Sequence, residues 1–528
     1  MRFLMTQQAC IVSHLSLELA QQKLFDHLTF QLPLHQFTGL IGRNGQGKSL
    51  LMSLLQEQTA SQLPYTGQIS WQCPHQHLAQ LQRVQANTIA QAIDIEDLYL
   101  CFERIQQGTA SFTDHDLVEH LWHLPTEWQR LLESADLPTA LDTPTQNLSE
   151  GKKTKLALCR LFLLKDHYLL LDEPSNHLDA QGRQWLIDQM VQHPTGGLII
   201  SHDRQLLAHV QGIFMLNQFG MHYYGGNYAL YQQQYQAQVE ALSHAVSQEK
   251  RELKQLKEQQ HQSQMKAQKR KKVGEKIRAS GSQAPILLDA KKEQSEQSLS
   301  HLRKQQSKQL SDAKDELQQK QTQLEHLKTQ SFEFTHATGK SGEILRCQQL
   351  KLAYVKTKPI DLAMNAGEKL HLSGANGTGK STLLKTIQGL IYPLAGEIYC
   401  KVSSIYLDQN LSLLDENISA VEYLCAIDPN LTEQQARTRL GNLQIRRDKA
   451  LSSLSNLSGG ERLKVALIGL KQQAVELLLL DEPENHLDIE SRELLAQAIH
   501  SFHGAVILVS HDENFVKECG INESYLLS

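Results

Sequence analysis

Hydrophobic and polar residues alternate along this chain in two distinct patterns. Both ends of the chain contain short apolar runs, such as LLL at 169–171 and LLLL at 477–480, separated by stretches with helical periodicity. Short buried strands that alternate with helices are typical of parallel α/β sheets. The middle of the chain instead repeats Leu310, Leu317 and Leu324 at seven-residue intervals, the spacing of a coiled-coil seam. We therefore predict two α/β regions with long helices between them.

The long helices are predicted to form an antiparallel hairpin. A second apolar stripe extends from Val239 to Leu256, and the sequence GSQAP at 281–285 separates it from the heptad stripe. Gly and Pro interrupt helices, and they are almost absent from the rest of this segment. Two helices of about 40 residues each, at about 1.5 Å per residue, predict a hairpin on the order of 60 Å long.

An internal repeat indicates two copies of one domain. Four elements recur in the same order, and such long self-similarity marks a duplication. The matched pairs are LIGRNGQGKSLL at 40–51 with LSGANGTGKSTLL at 372–384, LSEGKKTKLAL at 148–158 with LSGGERLKVAL at 457–467, LLLDEPSNHLD at 169–179 with LLLDEPENHLD at 478–488, and IISHDR at 199–204 with LVSHDE at 508–513. We predict a first copy at 1–235, a helical hairpin linker at 236–332 and a second copy at 333–528.

Composition adds the cellular context. The 528 residues are 40% hydrophobic and 21% charged, as in soluble proteins of roughly two to four domains. No apolar run approaches the roughly 18 residues that cross a bilayer, and the N-terminus lacks the pattern of a signal peptide. Eight cysteines are scattered without CxxC pairs, which favours buried free thiols over metal sites or disulfides. We expect a cytoplasmic protein without a membrane span.

Charge is distributed unevenly along the chain. The formal net charge is −5, but residues 250–330 contain 19 Lys and Arg against 10 Asp and Glu. Several cations in series bind nucleic-acid phosphates in a salt-dependent and sequence-tolerant way, although a solvated charged helix is the alternative. The basic residues of this stretch, all just before the predicted hairpin tip, are Lys266, Lys269, Arg270, Lys271, Lys272, Lys276 and Arg278.

Both copies contain the phosphate-binding loop GxxxxGK[ST]. Its glycines let backbone N–H groups surround phosphates at a helix N-terminus, where the helix dipole also favours anions. Lys48 and Lys380 are expected to reach the β- and γ-phosphates of a nucleotide, and the serine after each to ligate Mg²⁺. The predicted nucleotide-binding residues of the loops are Gly42, Asn44, Gly45, Gly47, Lys48, Ser49 and Leu50, and Gly374, Asn376, Gly377, Gly379, Lys380, Ser381 and Thr382.

Each apolar strand of the DEP box ends in adjacent carboxylates. Two neighbouring acids at the end of a buried strand are costly without a metal, so Asp172 and Asp481 are expected to hold Mg²⁺ through water. The glutamate after each is then placed to polarise the attacking water as general base. A histidine follows another apolar strand in each copy, in matched contexts, and is predicted to sense the γ-phosphate. The predicted catalytic residues are Glu173, Glu482, His202 and His511.

These motifs resemble the ABC ATPase superfamily, in which the LSGGE-type signature is diagnostic. The resemblance implies that two ATP molecules lie between the cassettes, and that the signature of each cassette completes the site of the other. Ser458, Gly459 and Gly460 are then expected to close the first site, and Ser149 and Gly151 the second. The resemblance further implies metal-side glutamines and an adenine-stacking aromatic side chain, which match Gln80, Gln409 and Tyr354.

The first signature departs from the pattern of the superfamily. It reads LSEGK, with Glu150 where a glycine is usual and Lys152 two residues later. A carboxylate beside a triphosphate is repulsive unless a cation compensates for it. Drift at a tolerant position and a real asymmetry between the two sites both explain the change, and whether this site hydrolyses ATP stays open.

The whole arrangement resembles the ABC-F family: two cassettes in one chain, a basic helical linker, and DEPxNHLD in both copies. The resemblance implies a monomeric ATPase whose closure places the hairpin on the ribosome, near the tRNA exit site and the peptidyl-transferase centre. The basic residues are then expected to contact rRNA and tRNA phosphates, in translation regulation or in ribosome-protection antibiotic resistance. The alternatives are a DNA-linked ABC ATPase and a transporter ATPase subunit with a separate membrane partner.

Overall fold

A computed structural model describes most of the chain. The described residues are 7–19, 22–56, 64–78, 86–176, 178–279, 285–327, 332–334, 342–355, 358–375, 377–408, 411–446, 448–473, 475–485 and 487–527. They divide into two compact units, one made of residues 1–230 and 330–528 and the other of residues 231–329. Both predicted α/β copies therefore belong to one unit, and each unit is described separately.

The first copy, which we call cassette 1, contains nine strands and eight helices among the described residues. The strands are β1 (Gln8–Leu19), β2 (Gln22–Pro33), β3 (Gln36–Ile41), β4 (Tyr65–Trp71), β5 (His75–Leu78), β6 (Tyr168–Asp172), β7 (Gly196–Ile200), β8 (Gly212–Asn217) and β9 (Gly220–Gly225). The helices are α1 (Lys48–Leu55), α2 (Ile89–Ala92), α3 (Glu96–Gln106), α4 (Phe112–Val118), α5 (Leu124–Ser134), α6 (Glu150–Phe162), α7 (Ala180–Gln192) and α8 (Arg204–Leu207).

Two long helices of the linker follow, α9 (Tyr228–Ala279) and α10 (Pro285–Leu327). The second copy, cassette 2, contains β10 (Glu343–Lys351), β11 (Ile360–Asn365), β12 (Lys369–Ser373), β13 (Ala395–Cys400), β14 (Ser404–Leu407), β15 (Leu477–Asp481), β16 (Ala505–Val509) and β17 (Glu523–Leu526). Its helices are α11 (Lys380–Ile387), α12 (Ala420–Ile427), α13 (Glu433–Asn442), α14 (Asp448–Leu451), α15 (Gly459–Gln472), α16 (Ile489–Ser501) and α17 (Glu513–Glu518).

Each cassette combines a mainly or wholly parallel sheet with a small antiparallel one. The larger sheets have the strand orders β5-β6-β7-β3-β8-β9 and β14-β15-β16-β12-β17, and the smaller ones β2-β1-β4 and β11-β10-β13. In cassette 1 the strands of the larger sheet are parallel except the last pair. The predicted α/β class with two copies of one domain is confirmed.

The predicted apolar runs form the central strands of the parallel sheets. Every residue of β6 and β15 is buried, because helices cover both faces of such a sheet and leave no solvent side. In each sheet, the strand that ends in the acidic pair lies two places from the strand that precedes the P-loop. The carboxyl ends of parallel strands meet at one edge, so this topology brings the P-loop and the acidic pair together.

The linker unit consists of α9 and α10 packed antiparallel. Val246, Leu317 and Leu324 are buried together, with other residues of the predicted stripes packed against them. Tyr235 donates from its hydroxyl to the Leu327 carbonyl at 2.8 Å, and Lys320 pairs with Glu249. The hairpin is therefore held by the apolar positions that the heptad spacing indicated. The predicted break at 281–285 lies largely outside the described residues, and the limits of the three predicted domains stay a prediction.

Among the described residues, no helix combines the length and the apolar character needed to cross a membrane.

Candidate functional site

The first P-loop joins β3 to α1 and holds Lys48 in a buried position. Gly47 has φ 85°, and a side chain there would begin 2.8 Å from the ring of Phe25, so both backbone and space require glycine. Lys48 Nζ donates to the carbonyls of Gly42 at 2.6 Å and Arg43 at 3.1 Å. Burial lowers the pKa of Lys48. The ammonium group is thus fixed inside the loop, where a phosphate would sit.

The second P-loop repeats this geometry between β12 and α11. Lys380 Nζ donates to the carbonyls of Gly374 at 2.9 Å and Ala375 at 3.0 Å. Gly379 has φ 95°, and burial again lowers the pKa of Lys380. The two loops differ at two positions, Arg43 against Ala375 and Gln46 against Thr378, yet each lysine donates to the two equivalent loop carbonyls. Of the loop residues predicted to bind nucleotide, Asn376 lies outside the described residues.

Hydroxyl and carboxylate oxygens meet at the predicted metal positions. In cassette 2, Ser381 Oγ donates to Asp481 Oδ1 at 3.0 Å, and the Tyr406 hydroxyl donates to Asp481 Oδ2 at 2.8 Å. In cassette 1, Asp172 Oδ1 is buried without a hydrogen-bond donor among the described residues, and burial raises the pKa of Asp172. A hard cation with oxygen ligands fits both places, since Mg²⁺ binds through one or two carboxylates and substrate phosphates.

The candidate general base of cassette 1, Glu173, is largely buried, with 13% of its side chain exposed. Glu173 has φ 49°, a left-handed conformation for a non-glycine residue, and its N–H donates to the Ile200 carbonyl at 2.9 Å. His202 Nε2 lies 3.5 Å from Glu173 Oε1. Burial raises the pKa of Glu173 to about 8 and lowers the pKa of His202 to about 3. Strained backbone at a buried carboxylate is a frequent mark of an active site.

The candidate general base of cassette 2 is more strongly hydrogen-bonded. Glu482 has φ 47°; Asn485 Nδ2 donates to its Oε2 at 2.7 Å, and His511 Nε2 lies 3.3 Å from its Oε1. The neighbouring His511 ring and the hydrogen bond from Asn485 hold the pKa of Glu482 below its ordinary value. These neighbours therefore favour the ionised form of Glu482, whereas burial raises the proton affinity of Glu173.

The two signature segments begin helices α6 and α15 in similar ways but differ in their caps. Ser149 accepts from the Lys152 N–H, whereas Ser458 forms a complete capping box with Glu461. A side chain at Gly460 would overlap the hydroxyl of Ser491, so the helices α15 and α16 approach closely only at a glycine. The first signature has no residue equivalent to Glu461 in charge, because Lys152 stands there.

Glu150, the residue that breaks the first signature, is paired with a neighbour. Lys153 Nζ lies 3.0 Å from Glu150 Oε1, and 67% of the glutamate side chain is exposed. The compensating cation is thus Lys153, while Lys152 lies 3.7 Å from Asp136. The negative charge is partly offset within its own helix.

Two cavities of about 370 Å³ each are lined by the predicted site residues. The first is formed by P-loop 1 with Asp172, Glu173 and His202. The second lies between the cassettes, and it is lined by Ser149 and Gly151 and by both candidate bases with their histidines, Glu173 and His202 as well as Glu482 and His511. The structure thus juxtaposes one signature with the candidate base of the other cassette, as the superfamily resemblance implies.

Direct bonds connect the first P-loop to cassette 2. The Asn44 N–H donates to Asp488 Oδ2 at 2.9 Å. Arg43 Nε donates to Glu490 Oε2 at 2.7 Å. Asp488 caps the same helix, α16, that packs against Gly460. The second signature and the first P-loop are therefore linked through one helix end.

The predicted metal-side glutamines lie outside the described residues, whereas the predicted adenine-stacking tyrosine is described. Gln80 and Gln409 are outside the described residues, although the strands that precede them, β5 and β14, occupy equivalent places beside β6 and β15. Tyr354 is 92% exposed with φ 64°. It lies in the turn 352–355, whose neighbouring side chains face Gly379 of the second P-loop, and this position suits stacking on a base.

The predicted RNA contacts lie on α9. Lys266, Lys269 and Lys272 are exposed. The side chains of Arg270, Lys271, Lys276 and Arg278 lie outside the described residues, and RNA contact stays a prediction for all seven residues.

Four residues that contact the predicted site residues or their backbone were not identified from the sequence, namely Asn485, Tyr406, Arg183 and Arg492. Asn485 lies inside the repeated DEPxNHLD box, so its matched position was a usable signal. Arg183 and Arg492 also occupy matched positions, four residues after the Asp that ends each box. Tyr406 carried no such signal, because the equivalent strand residue of cassette 1 is His77.

One known family model matches part of each cassette. The family model described as ABC transporter matches residues 25–176 and 357–485. The "Uncharacterized ABC transporter ATP-binding protein YfmM" of Bacillus subtilis is 26% identical over 96% of this chain and 95% of its own length. The "ATP-binding cassette sub-family F member 2" of Bos taurus is 25% identical over 96% of this chain and 79% of its own length. The predicted resemblance to ABC-F proteins is confirmed.

The structure is also similar to a solved protein of the same architecture. "RNase-L Inhibitor" superposes with a TM-score of 0.52 at 17% identity, over 98% of this chain and 88% of that one. At this identity the likeness concerns the fold alone.

Proposed function

We propose, on the premise that this chain belongs to the ABC transporter family of ATP-binding proteins, that its ATPase cycle controls a hairpin bound to the ribosome. The two cassettes are ATPases of that family. The observation that carries the proposal is the shared cavity of Ser149 and Gly151 with Glu482 and His511. It supports ATP sites that are completed only when both cassettes are together.

Each P-loop is proposed to hold the β- and γ-phosphates of one ATP, with Lys48 or Lys380 as the counter-charge. Ser49 with Asp172, and Ser381 with Asp481, offer the oxygen ligands for Mg²⁺. When bound, Mg²⁺ supplies charge neutralisation to the phosphates. The lysines, already buried and fixed by loop carbonyls, need no large movement to accept this role.

Hydrolysis is proposed to use the two glutamates as general bases. Water attacks the γ-phosphorus, Glu173 or Glu482 accepts its proton, and the bond from the γ-phosphorus to the bridging oxygen of ADP breaks. His202 and His511, each within 3.5 Å of its glutamate, then contact the γ-phosphate. The signature serine of the opposite cassette adds a donor from the other side.

Nucleotide state is proposed to set the distance between the cassettes. An ATP that contacts both a P-loop and the opposite signature stabilises the closed form by its differential affinity for it. Loss of the γ-phosphate removes that bridge, and the cassettes separate. ATP thus limits the duration of a binding event.

The binding event is proposed to be contact of the linker hairpin with rRNA and tRNA, near the tRNA exit site and the peptidyl-transferase centre. The exposed Lys266, Lys269 and Lys272 on α9 and the ABC-F relatives support it. Translation regulation and ribosome-protection antibiotic resistance are both consistent with this placement. A DNA partner, or a separate membrane partner, is the outcome to which a negative result would point.

Co-sedimentation with ribosomes tests the proposal. Glu173→Gln combined with Glu482→Gln is expected to trap the closed form, so that ATP but not ADP drives the protein into the ribosome pellet. Replacing Lys269, Arg270, Lys271 and Lys272 by Ala is expected to weaken pelleting. The slope of log affinity against log salt is expected to become shallower by about 0.7–0.9 for each phosphate that the variant no longer neutralises.

A charge-matched control separates this site from general basicity. Lys254, Lys257, Lys308 and Lys314 are four exposed lysines elsewhere on the hairpin, and their replacement by Ala removes the same charge. Equal losses for both quadruple variants would reject a specific role of the 269–272 cluster. An absence of ATP-dependent pelleting would reject the ribosome proposal.

A further inference from the structure

Two arginines cross the boundary between the cassettes in a reciprocal arrangement. Arg183, in the first turn of α7, donates from Nη2 to the backbone carbonyl of His511 at 2.9 Å. Arg492, in the first turn of α16, donates from Nη1 to the backbone carbonyl of His202 at 2.8 Å. The two arginines occupy matched positions of the repeat. Each cassette therefore holds the predicted γ-phosphate sensor of the other.

Each guanidinium also lies against an aspartate of its own cassette. Arg183 Nη1 lies 3.6 Å from Asp203 Oδ2, and Arg492 forms an ion pair with Asp512. These aspartates directly follow the histidines of their own cassettes and cap α8 and α17. One planar side chain thus links its own histidine segment to the histidine segment of the other cassette.

The chemistry of these contacts requires arginine. Both side chains are nearly buried, at 10% and 12% exposure, where an unpaired carbonyl or carboxylate is costly. A guanidinium presents several donors in a fixed plane and serves two acceptors at once, whereas an ammonium group on a flexible stem does not hold this geometry.

We propose that Arg183 and Arg492 are positioning residues that couple the two nucleotide sites, each orienting the sensor histidine of the opposite cassette. A change at one site, transmitted through its histidine segment to the aspartate and arginine, shifts the histidine of the other site. The inference rests on the sensor role that the proposed function gives to His202 and His511.

Another arginine between the cassettes supplies the control. Arg204 of α8 binds Glu493 at 2.8 Å and also pairs with Glu518, both in cassette 2. Neither glutamate lies in the segment that contains His511. The residue of cassette 2 at the position matched to Arg204 is Glu513. Arg204→Ala therefore weakens contact between the cassettes while it leaves in place the bonds of Arg183 and Arg492 to the histidine carbonyls.

A double-mutant cycle on ATP turnover tests the coupling in the full-length protein. Arg492→Ala is expected to lower kcat about tenfold, the worth of one hydrogen bond to a charged donor, with little change in KM. In a His202→Ala background, Arg492→Ala is expected to have no further effect, whereas in a His511→Ala background the tenfold decrease is expected in full. Arg183→Ala is expected to have no further effect in the His511→Ala background and its full effect in the His202→Ala background. Arg204→Ala is expected to change kcat less than about twofold.

Each alternative outcome has its own meaning. Additive losses of kcat when Arg492→Ala is combined with His202→Ala would overturn the coupling. Equal losses of kcat in the His202→Ala and His511→Ala backgrounds would overturn it as well. Full turnover in His202→Ala and His511→Ala would overturn the sensor role and the coupling with it. Because these assays contain no ribosomes, they are independent of the hairpin's partner. If Arg492→Ala melts early, Arg492→Lys keeps the charge beside Asp512, and the same cycle is expected to show a partial, still non-additive loss.

Discussion

The first nucleotide site buries its candidate base, with 13% of the Glu173 side chain exposed, while the second leaves 30% of Glu482 exposed and bonds it to Asn485. The first P-loop is tied to cassette 2 through Arg43 and Asn44. The second P-loop has Ala375 where Arg43 stands and cannot form that ion pair. Duplicated motifs thus lie in unequal surroundings, and we propose that the two sites contribute unequally to ATP turnover.

The difference between the bases gives the largest expected effect. Glu482→Gln is expected to lower ATP turnover about 100-fold or more, the usual worth of an oriented general base, because two neighbours hold this carboxylate in place. Glu173→Gln is expected to cost less, since its candidate hydrogen-bond partner His202 lies at 3.5 Å. Single-turnover hydrolysis in the two single variants measures both values. Equal losses would remove the proposed inequality of the sites.

The hydroxyl that binds Asp481 gives an effect of intermediate size. Tyr406→Phe removes the donor to Asp481 Oδ2 at 2.8 Å, and loss of such a partner typically weakens metal binding by about 10- to 100-fold. We expect the Mg²⁺ concentration for half-maximal turnover to rise about tenfold. In cassette 1 the equivalent His77 contacts Gln56 instead, so His77→Phe is the matched control and should leave the Mg²⁺ requirement unchanged. If both variants raise the Mg²⁺ concentration for half-maximal turnover, the cause is a general disturbance of the sheet rather than a lost contact at the metal site.

The signature residue Glu150 gives the smallest effect. Glu150→Gly is expected to raise turnover at the second site only by a few-fold, because the carboxylate is exposed and already paired with Lys153. Gly459→Glu makes the reciprocal change in the second signature. A rise for the first variant and a fall for the second, both in steady-state turnover, would assign the asymmetry to this charge. No change in either would identify Glu150 as drift at a tolerant position.

Local patterns were sufficient to predict the elements and the phosphate chemistry. The runs LLL and LLLL became buried strands, because a fully apolar run can be accommodated only between two helical layers. The loop GxxxxGK[ST] favours its own conformation, since its glycines accept positive φ and its lysine donates to loop carbonyls a few residues away. The seven-residue leucine spacing likewise predicted which side chains hold the hairpin.

The tertiary structure decided how these parts act on one another. Glu173 and Glu482 follow identical strand ends, yet burial raises the pKa of one while hydrogen bonding lowers that of the other. Tyr406 reaches Asp481, and Arg492 reaches the carbonyl of His202, across 75 and 290 residues of sequence. Such contacts depend on solvent exclusion and on distances between elements, which no local spacing encodes. The sequence therefore determined which groups this protein has, and the packing of its two cassettes determined their ionisation and their partners.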